Sequence, residues 1–303
     1  MATSTTKKSK KPPAKKAPLP FEGQPTMAEV LRFERIAGEV LAMPTVPPKK
    51  RKKDPSADKN EPIIGMLAEK KLHATVKRYL SEDLSTHERL VPDLLADEEH
   101  PPIRMVADVM VEGEIFEVQT GGFYPLRQKI QTYLTHTTCN ITVVHPMAGI
   151  RYLSWIDPTD GSIISRTKCH SRKRVKDIAK ELYWLSDFIG NPRISLRLLF
   201  LEIEEYRLRD GWSRDGKRGS NRYERYPTTL LGDVRLYEPE DYAFYFLPDT
   251  LPIGIPFTAA DYAKASGIRG RATYGVLHLL VKLGVLQEGE RVGRAQTFVI
   301  PQT

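Results

Sequence analysis

The chain of 303 residues, 40% of them apolar, is long enough for two domains and tails, and it has no apolar run of membrane-spanning length. Its formal charge of +8 sits mostly in a leading tail: residues 1–53 hold 13 Lys or Arg against 4 Glu, residues 54–250 hold 27 against 31, and residues 251–303 hold 6 against 3. A secretory leader is not expected, because no apolar stretch follows the first lysines, and Cys139 and Cys169 form neither a disulfide framework nor a metal-ligand spacing.

Residues 1–25 are Lys/Pro/Ala-rich and read as a basic, unstructured arm, either solubilising or attracted to nucleic acid. MAEVLRFERIAGEVLAM (27–43) predicts one short amphipathic helix with Val30, Leu31, Ile36, Val40 and Leu41 on its apolar side. A Pro/Lys linker follows to about residue 60, and its PPKKRKKDP run (47–55) has the form of a nuclear import signal in a eukaryote. The folded body is expected to start with a helix over 62–80. Residues 82–102 read mainly as loop, with a short strand or turn of helix around Arg89–Leu95.

Two strands follow, IRMVADVMV (103–111) and EIFEVQT (114–120), joined at a Glu-Gly turn. LRQKIQTYLTH (126–136) is helical, NITVVHP (140–146) a buried strand, and RYLSWIDPTDGSII (151–164) a hairpin turning at Pro158–Gly161. A helix over 175–190 ends at Gly190, a long strand starts at 195, and residues 207–226 read as a polar loop. This order predicts an α/β (α+β) domain with a mixed central sheet.

Asp108 and Glu117 stand on the two strands of the hairpin, nine residues apart, so both carboxylates can reach the same end of the sheet. Two oxygen donors there suit a hard divalent cation, Mg²⁺ or Mn²⁺, which activates water and offsets charge on a phosphodiester. Acidic residues beside a strand turn are more often merely solvated. The order of elements around this pair, with Glu-x-Gln on the second strand, resembles the core of the PD-(D/E)XK nuclease superfamily over roughly residues 62–146. That resemblance implies a restriction-endonuclease-like core in which Asp108 and Glu117 bind metal, Glu69 on the preceding helix assists, and Gln119 stands at the position of the usual lysine. Glutamine supplies hydrogen bonds but no charge. Two readings follow: Lys129 on the next helix supplies the charge and Gln119 orients water, or the fold has lost hydrolysis. His73 lies one turn from Glu69, either as a surface pair or as a residue that supports the metal ligands or contacts DNA.

KCHSRKRVK (168–176) puts Arg172, Lys173 and Arg174 just ahead of a helix, a usable phosphate site. Residues 206–226 interleave arginines with Trp212, Tyr223 and Tyr226, a pattern that suits backbone neutralisation plus stacking. Residues 257–300 resemble a winged helix-turn-helix. Thr258 caps its first helix, Gly267 ends it, and residues 271–284 form the second. The resemblance puts Arg269, Arg271, Thr273 and Tyr274 at the groove-reading end of that helix and Arg291 and Arg294 on the wing.

The organisation expected is a basic tail over 1–60, a nuclease-like domain over 61–250 and a winged helix over 251–303. The function expected is Mg²⁺-dependent cleavage of DNA. The alternatives are a degenerate nuclease fold that binds or regulates at DNA, and a protein-interaction scaffold. DNA is the expected partner, a homodimer is compatible, no membrane association is expected, and the expected location is cytoplasmic: with the nucleoid in a bacterium, in the nucleus of a eukaryote.

Overall fold

The computed structural model describes residues 22–43, 70–157, 162–212 and 218–302, without the side chains of 208–223. A mixed sheet runs through the molecule. Its strands are β1 (His87–Val91), β2 (Met105–Val111), β3 (Glu114–Val118), β4 (Asn140–Ile156), β5 (Ile163–Lys168), β6 (Ile194–Trp212) and β7 (Arg218–Leu236). The order across the sheet is β1-β2-β3-β4-β6-β7, with β5 on the far half of β4. β1, β2 and β3 form an antiparallel meander, β4 runs parallel to both β3 and β6, and β6 and β7 form a long antiparallel hairpin.

Both faces of the sheet are covered, which explains the continuous apolar runs in β4 and β6. Val143, Leu198 and Phe200 point into one core, and their neighbours Val144, Leu199 and Leu201 point into the other. Helices α1 (Met27–Ala42) and α2 (Lys71–Leu80) cover the second face. Helices α3 (Leu126–His136) and α4 (Ala179–Leu185) cover the first.

Several expectations are corrected here. The helix at 27–42 is no isolated element of a tail: Phe33, Ile36, Ala37 and Val40 are buried against α2 and the sheet, while Leu31 and Leu41, expected inside, are exposed. A capping box between Thr26 and Glu29 starts it, and Phe33 meets Tyr79 edge to face with centroids 5.2 Å apart. The buried Lys71 ammonium donates to the carbonyls of Val40 (2.8 Å) and Met43 (2.6 Å), satisfying the C-terminal end of α1. The expected strand at 140–146 is the first part of a 17-residue strand. The polar stretch 207–226, expected as loop, is mostly ladder, with Tyr206 opposite Glu224 and Leu208 opposite Asn221. Backbone pairing carries these strands beyond the reach of their apolar pattern. The expected turn at 158–161 and Met66 and Leu67 of the expected 62–80 helix lie outside the described residues.

The C-terminal part runs α5 (Pro239–Phe246), β8 (Phe257–Thr258), α6 (Ala259–Ser266), α7 (Arg271–Lys282), β9 (Gln287–Val292) and β10 (Ala295–Val299), with a three-stranded sheet in the order β8-β10-β9. Thr258 and Asp261 form a capping box, and Gly267 closes α6 in the left-handed conformation (φ 75°). Val276, Leu277 and Leu280 of α7 join the core that includes Leu182 and Leu185 of α4. Lys282 donates to the carbonyls of Ser186 (2.6 Å) and Asp187 (2.8 Å). Residues beyond 250 therefore share the core of the body. Among the described residues no helix is long and apolar enough to cross a membrane.

Candidate active site

The β2–β3 hairpin turns at Glu112 (φ 48°) and Gly113 (φ 81°), the two left-handed residues that a tight two-residue hairpin requires. Its register pairs Val111 with Glu114 and Val109 with Phe116. Beyond Phe116 the ladder gives way to a side-chain contact: the Val118 N–H donates to Asp108 Oδ2 at 2.8 Å. Asp108 and Glu117 meet where the two strands part.

Glu117 is almost fully buried and each of its oxygens has a donor. The Lys129 ammonium lies 2.6 Å from Oε2, and the Tyr133 hydroxyl donates to Oε1 at 2.8 Å. Lys129 and Tyr133 are four residues apart on α3, so one helix face presents both to β3. His73 on α2 approaches Asp108 Oδ2 at 3.3 Å through Nε2. Four elements thus converge on the carboxylate pair.

The electrostatics separate the two acids. Burial pushes Glu117 up to about 7 and the Asp108 charge adds to this, while Lys129 and Tyr133 offset only part of it. Asp108 is also raised by burial, but the His73 hydrogen bond, the charges of His73 and Lys129, and the Val118 N–H together hold it below its ordinary value. Burial and the adjacent Glu117 push the Tyr133 hydroxyl well above the usual phenol range, so it serves as a donor and not as a base.

The remaining sequence candidates fall as follows. Gln119 does not reach the carboxylates. Its amide donates to the Gly122 carbonyl and closes its own turn, its N–H pairs with the Val144 carbonyl at 2.9 Å, and its own carbonyl meets His145 at 2.5 Å. The expectation that Gln119 orients water at Glu117 is corrected accordingly. Glu69 lies outside the described residues. Thr273, expected at a nucleic-acid surface, is buried, and its hydroxyl donates to the Ile268 carbonyl at 3.0 Å, closing the turn into α7. Arg269, Arg271, Tyr274, Arg291 and Arg294 are exposed. Arg174 is committed to Glu22 at 3.2 Å, Arg172 is half-buried, and Lys173 is exposed on a cleft beside the Gln119 turn.

Tyr133 is a site residue that the sequence alone does not single out. Its spacing of four from Lys129 was the available signal. Asp108 and Glu117 are hard oxygen donors of the kind Mg²⁺ or Mn²⁺ takes. Among the described residues, however, no group of three or more His, Cys, Asp or Glu is arranged to hold a metal ion. Lys129 balances the Glu117 charge, and its side chain is 36% exposed, which leaves it room to move aside. The donor set fits a divalent cation in kind, provided Lys129 yields its oxygen.

A mixed α+β fold with a carboxylate–lysine centre at the parting of two strands is the class the chain defines. Residues 70–237, more than half of the chain, match the family described as a domain of unknown function (DUF8091), and the protein belongs to that family. No curated protein and no solved structure matches it.

Proposed function

We propose that this protein is a metal-dependent phosphodiester hydrolase of the PD-(D/E)XK type, acting on DNA, with a C-terminal winged helix that contacts its substrate. The observation that carries the reading is the meeting of Asp108, Glu117 and Lys129 from β2, β3 and α3 in a helix–meander–helix–parallel strand order. Helix α2, the β1–β3 meander, α3 and β4 follow the order that the nuclease resemblance implies.

Asp108 and Glu117 would hold the divalent cation, which would supply an activated water and charge stabilisation when bound. Tyr133 fixes the Glu117 carboxylate by donating to Oε1, and His73 fixes Asp108 through Oδ2. Lys129 leaves Glu117 and places its ammonium toward the phosphate, the charge that Gln119 cannot provide. The burial of Glu117 strengthens its own interactions in this group.

The C-terminal order α5-β8-α6-α7-β9-β10, with its β9–β10 hairpin turning at Gly293 (φ 61°), supports the winged-helix reading. Exposed Arg269, Arg271 and Tyr274 at the start of α7, with Arg291 and Arg294 on the hairpin, form its contact surface.

The test is cleavage of plasmid, single-stranded and branched DNA by the purified full chain in Mg²⁺ and in EDTA, beside Asp108→Ala. Cleavage of at least one substrate that needs both Mg²⁺ and Asp108 supports the proposal. Equal products from wild type and variant overturn it.

A further inference from the structure

A cleft of about 390 Å³ is lined on one side by Thr120, Gly121 and Gly122 of the turn that follows β3. Four cations line it, Arg151, Lys173, Lys180 and Arg225, against the acids Asp177 and Glu181. Asp177 accepts from the Arg174 N–H at 2.8 Å; Glu181 accepts from the Phe123 N–H at 3.0 Å and lies 3.7 Å from the exposed Lys180 ammonium. Arg151 and Arg225 are not placed by chance. Together with Arg207 they converge on one fully buried carboxylate, Glu205, at 3.3, 3.3 and 2.7 Å. One buried carboxylate thus gathers three guanidinium groups, from β4, β6 and β7.

Three aromatic rings stand close in the chain to the cleft-lining Gly122 and Lys180. Lys180, Tyr183 and Trp184 share a face of α4, being three and four residues apart. Tyr124, just past the glycine turn, meets Trp184 with centroids 4.9 Å apart, and Trp184 meets Tyr183 at 5.1 Å. Tyr124 is 64% exposed and Tyr183 56%. Exposed rings beside a row of cations are what a nucleic acid with free base faces requires, and a duplex hides those faces in its own stack.

We infer that this cleft and these rings bind a single-stranded nucleic acid, its phosphates over Lys173, Lys180, Arg151 and Arg225 and its bases on Tyr124 and Tyr183. The inference rests on the reading of the carboxylate centre as a phosphodiester site, because β3, which carries Glu117, runs into the turn that lines the cleft. The substrate of that centre is then a single strand or a single-stranded region of a larger structure.

Binding is measured in EDTA, where no metal-dependent cleavage occurs, by anisotropy of a labelled thymidine oligonucleotide and of a duplex of the same length, across a salt series with the full chain. The single strand binds more tightly than the duplex. Lys173→Ala/Lys180→Ala weakens it about tenfold and reduces the salt slope by roughly 1.4, about 0.7 for each phosphate contact on a single strand. Tyr124→Ala/Tyr183→Ala weakens it about tenfold with the salt slope unchanged, because stacking is not ionic. Iodouracil-substituted oligonucleotide crosslinks to Tyr124 or Tyr183. Equal affinity for single strand and duplex overturns the inference, as do crosslinks confined to residues 1–53 or 251–303. An unchanged salt slope in the lysine variant also overturns it. If inorganic polyphosphate displaces the oligonucleotide and the tyrosine variants bind normally, the base-stacking half is overturned and only phosphate is recognised. Circular dichroism of each variant confirms its fold. Binding that survives intact in a protein without cleavage counts against the hydrolase reading and not against this one.

Discussion

Glu117→Gln separates the cost of the site from its use. A carboxyl raised from 4.5 to about 7 in the folded protein binds its proton more tightly there than in the unfolded chain. Between these two pH values the folded state carries more protons than the unfolded one, so stability falls as pH rises. The penalty is absent below about pH 4.5 and complete above about pH 7. At 1.36 kcal/mol per pH unit the full cost is about 3 kcal/mol. Glutamine keeps the shape and can still accept from Tyr133, but it carries no charge to bury. Urea unfolding in EDTA should therefore show Glu117→Gln more stable than wild type by about 2–3 kcal/mol at pH 8, with the difference shrinking to about 0.8 kcal/mol at pH 5. A variant less stable than wild type at pH 8, or a difference independent of pH, would refute the reasoning. It would mean that the Lys129 ion pair outweighs the desolvation of Glu117.

Four further outcomes are expected. Mg²⁺ at about one hundred times its dissociation constant should stabilise wild type by about 2.7 kcal/mol and leave Asp108→Ala unmoved in thermal unfolding. Phe33→Ala should cost about 3–5 kcal/mol in urea unfolding, because Phe33 is fully buried against Tyr79; a loss under 1 kcal/mol would make α1 a detachable arm. Gln119→Ala should leave any Mg²⁺-dependent cleavage within about fivefold of wild type, since the amide serves its own turn, whereas a loss of about 10²-fold would return Gln119 to the chemistry. Thr273→Ala should lower stability by about 1 kcal/mol without changing duplex binding, while Arg271→Ala should lower the salt slope of duplex binding by about 0.9.

The hairpin that carries Asp108 and Glu117 was legible because alternation, β-propensity and a Glu-Gly turn agree over residues 103–120. Lys129 was reached only through the resemblance, as a lysine on the following helix, and it stands beside Glu117. What escaped depends on distant partners. The apolar stripe of 27–42 cannot reveal which way it turns until α2 and the sheet are present, so Phe33 and Ala37 were left out of it and Leu31 and Leu41 taken in. The arginines on Glu205 come from three strands, and the aromatic cluster from a turn and a helix about 60 residues apart, so no local pattern announces either. Thr273 reads as a polar residue at a helix start, and only the turn at Ile268 explains its burial. Gln119 was judged by its position in a motif, yet its hydrogen bonds belong to the turn it begins.

The central claim is that Lys129 supplies the positive charge of a hydrolytic centre built on Asp108 and Glu117. Its most direct test is the single-turnover rate of cleavage in Mg²⁺, on the best substrate found, for wild type, Glu117→Ala and Lys129→Ala. Both variants should lose about 10²-fold or more in rate while binding the substrate normally in EDTA. Wild-type rates in Lys129→Ala, or no Mg²⁺-dependent cleavage by the wild-type chain on any substrate, would contradict it.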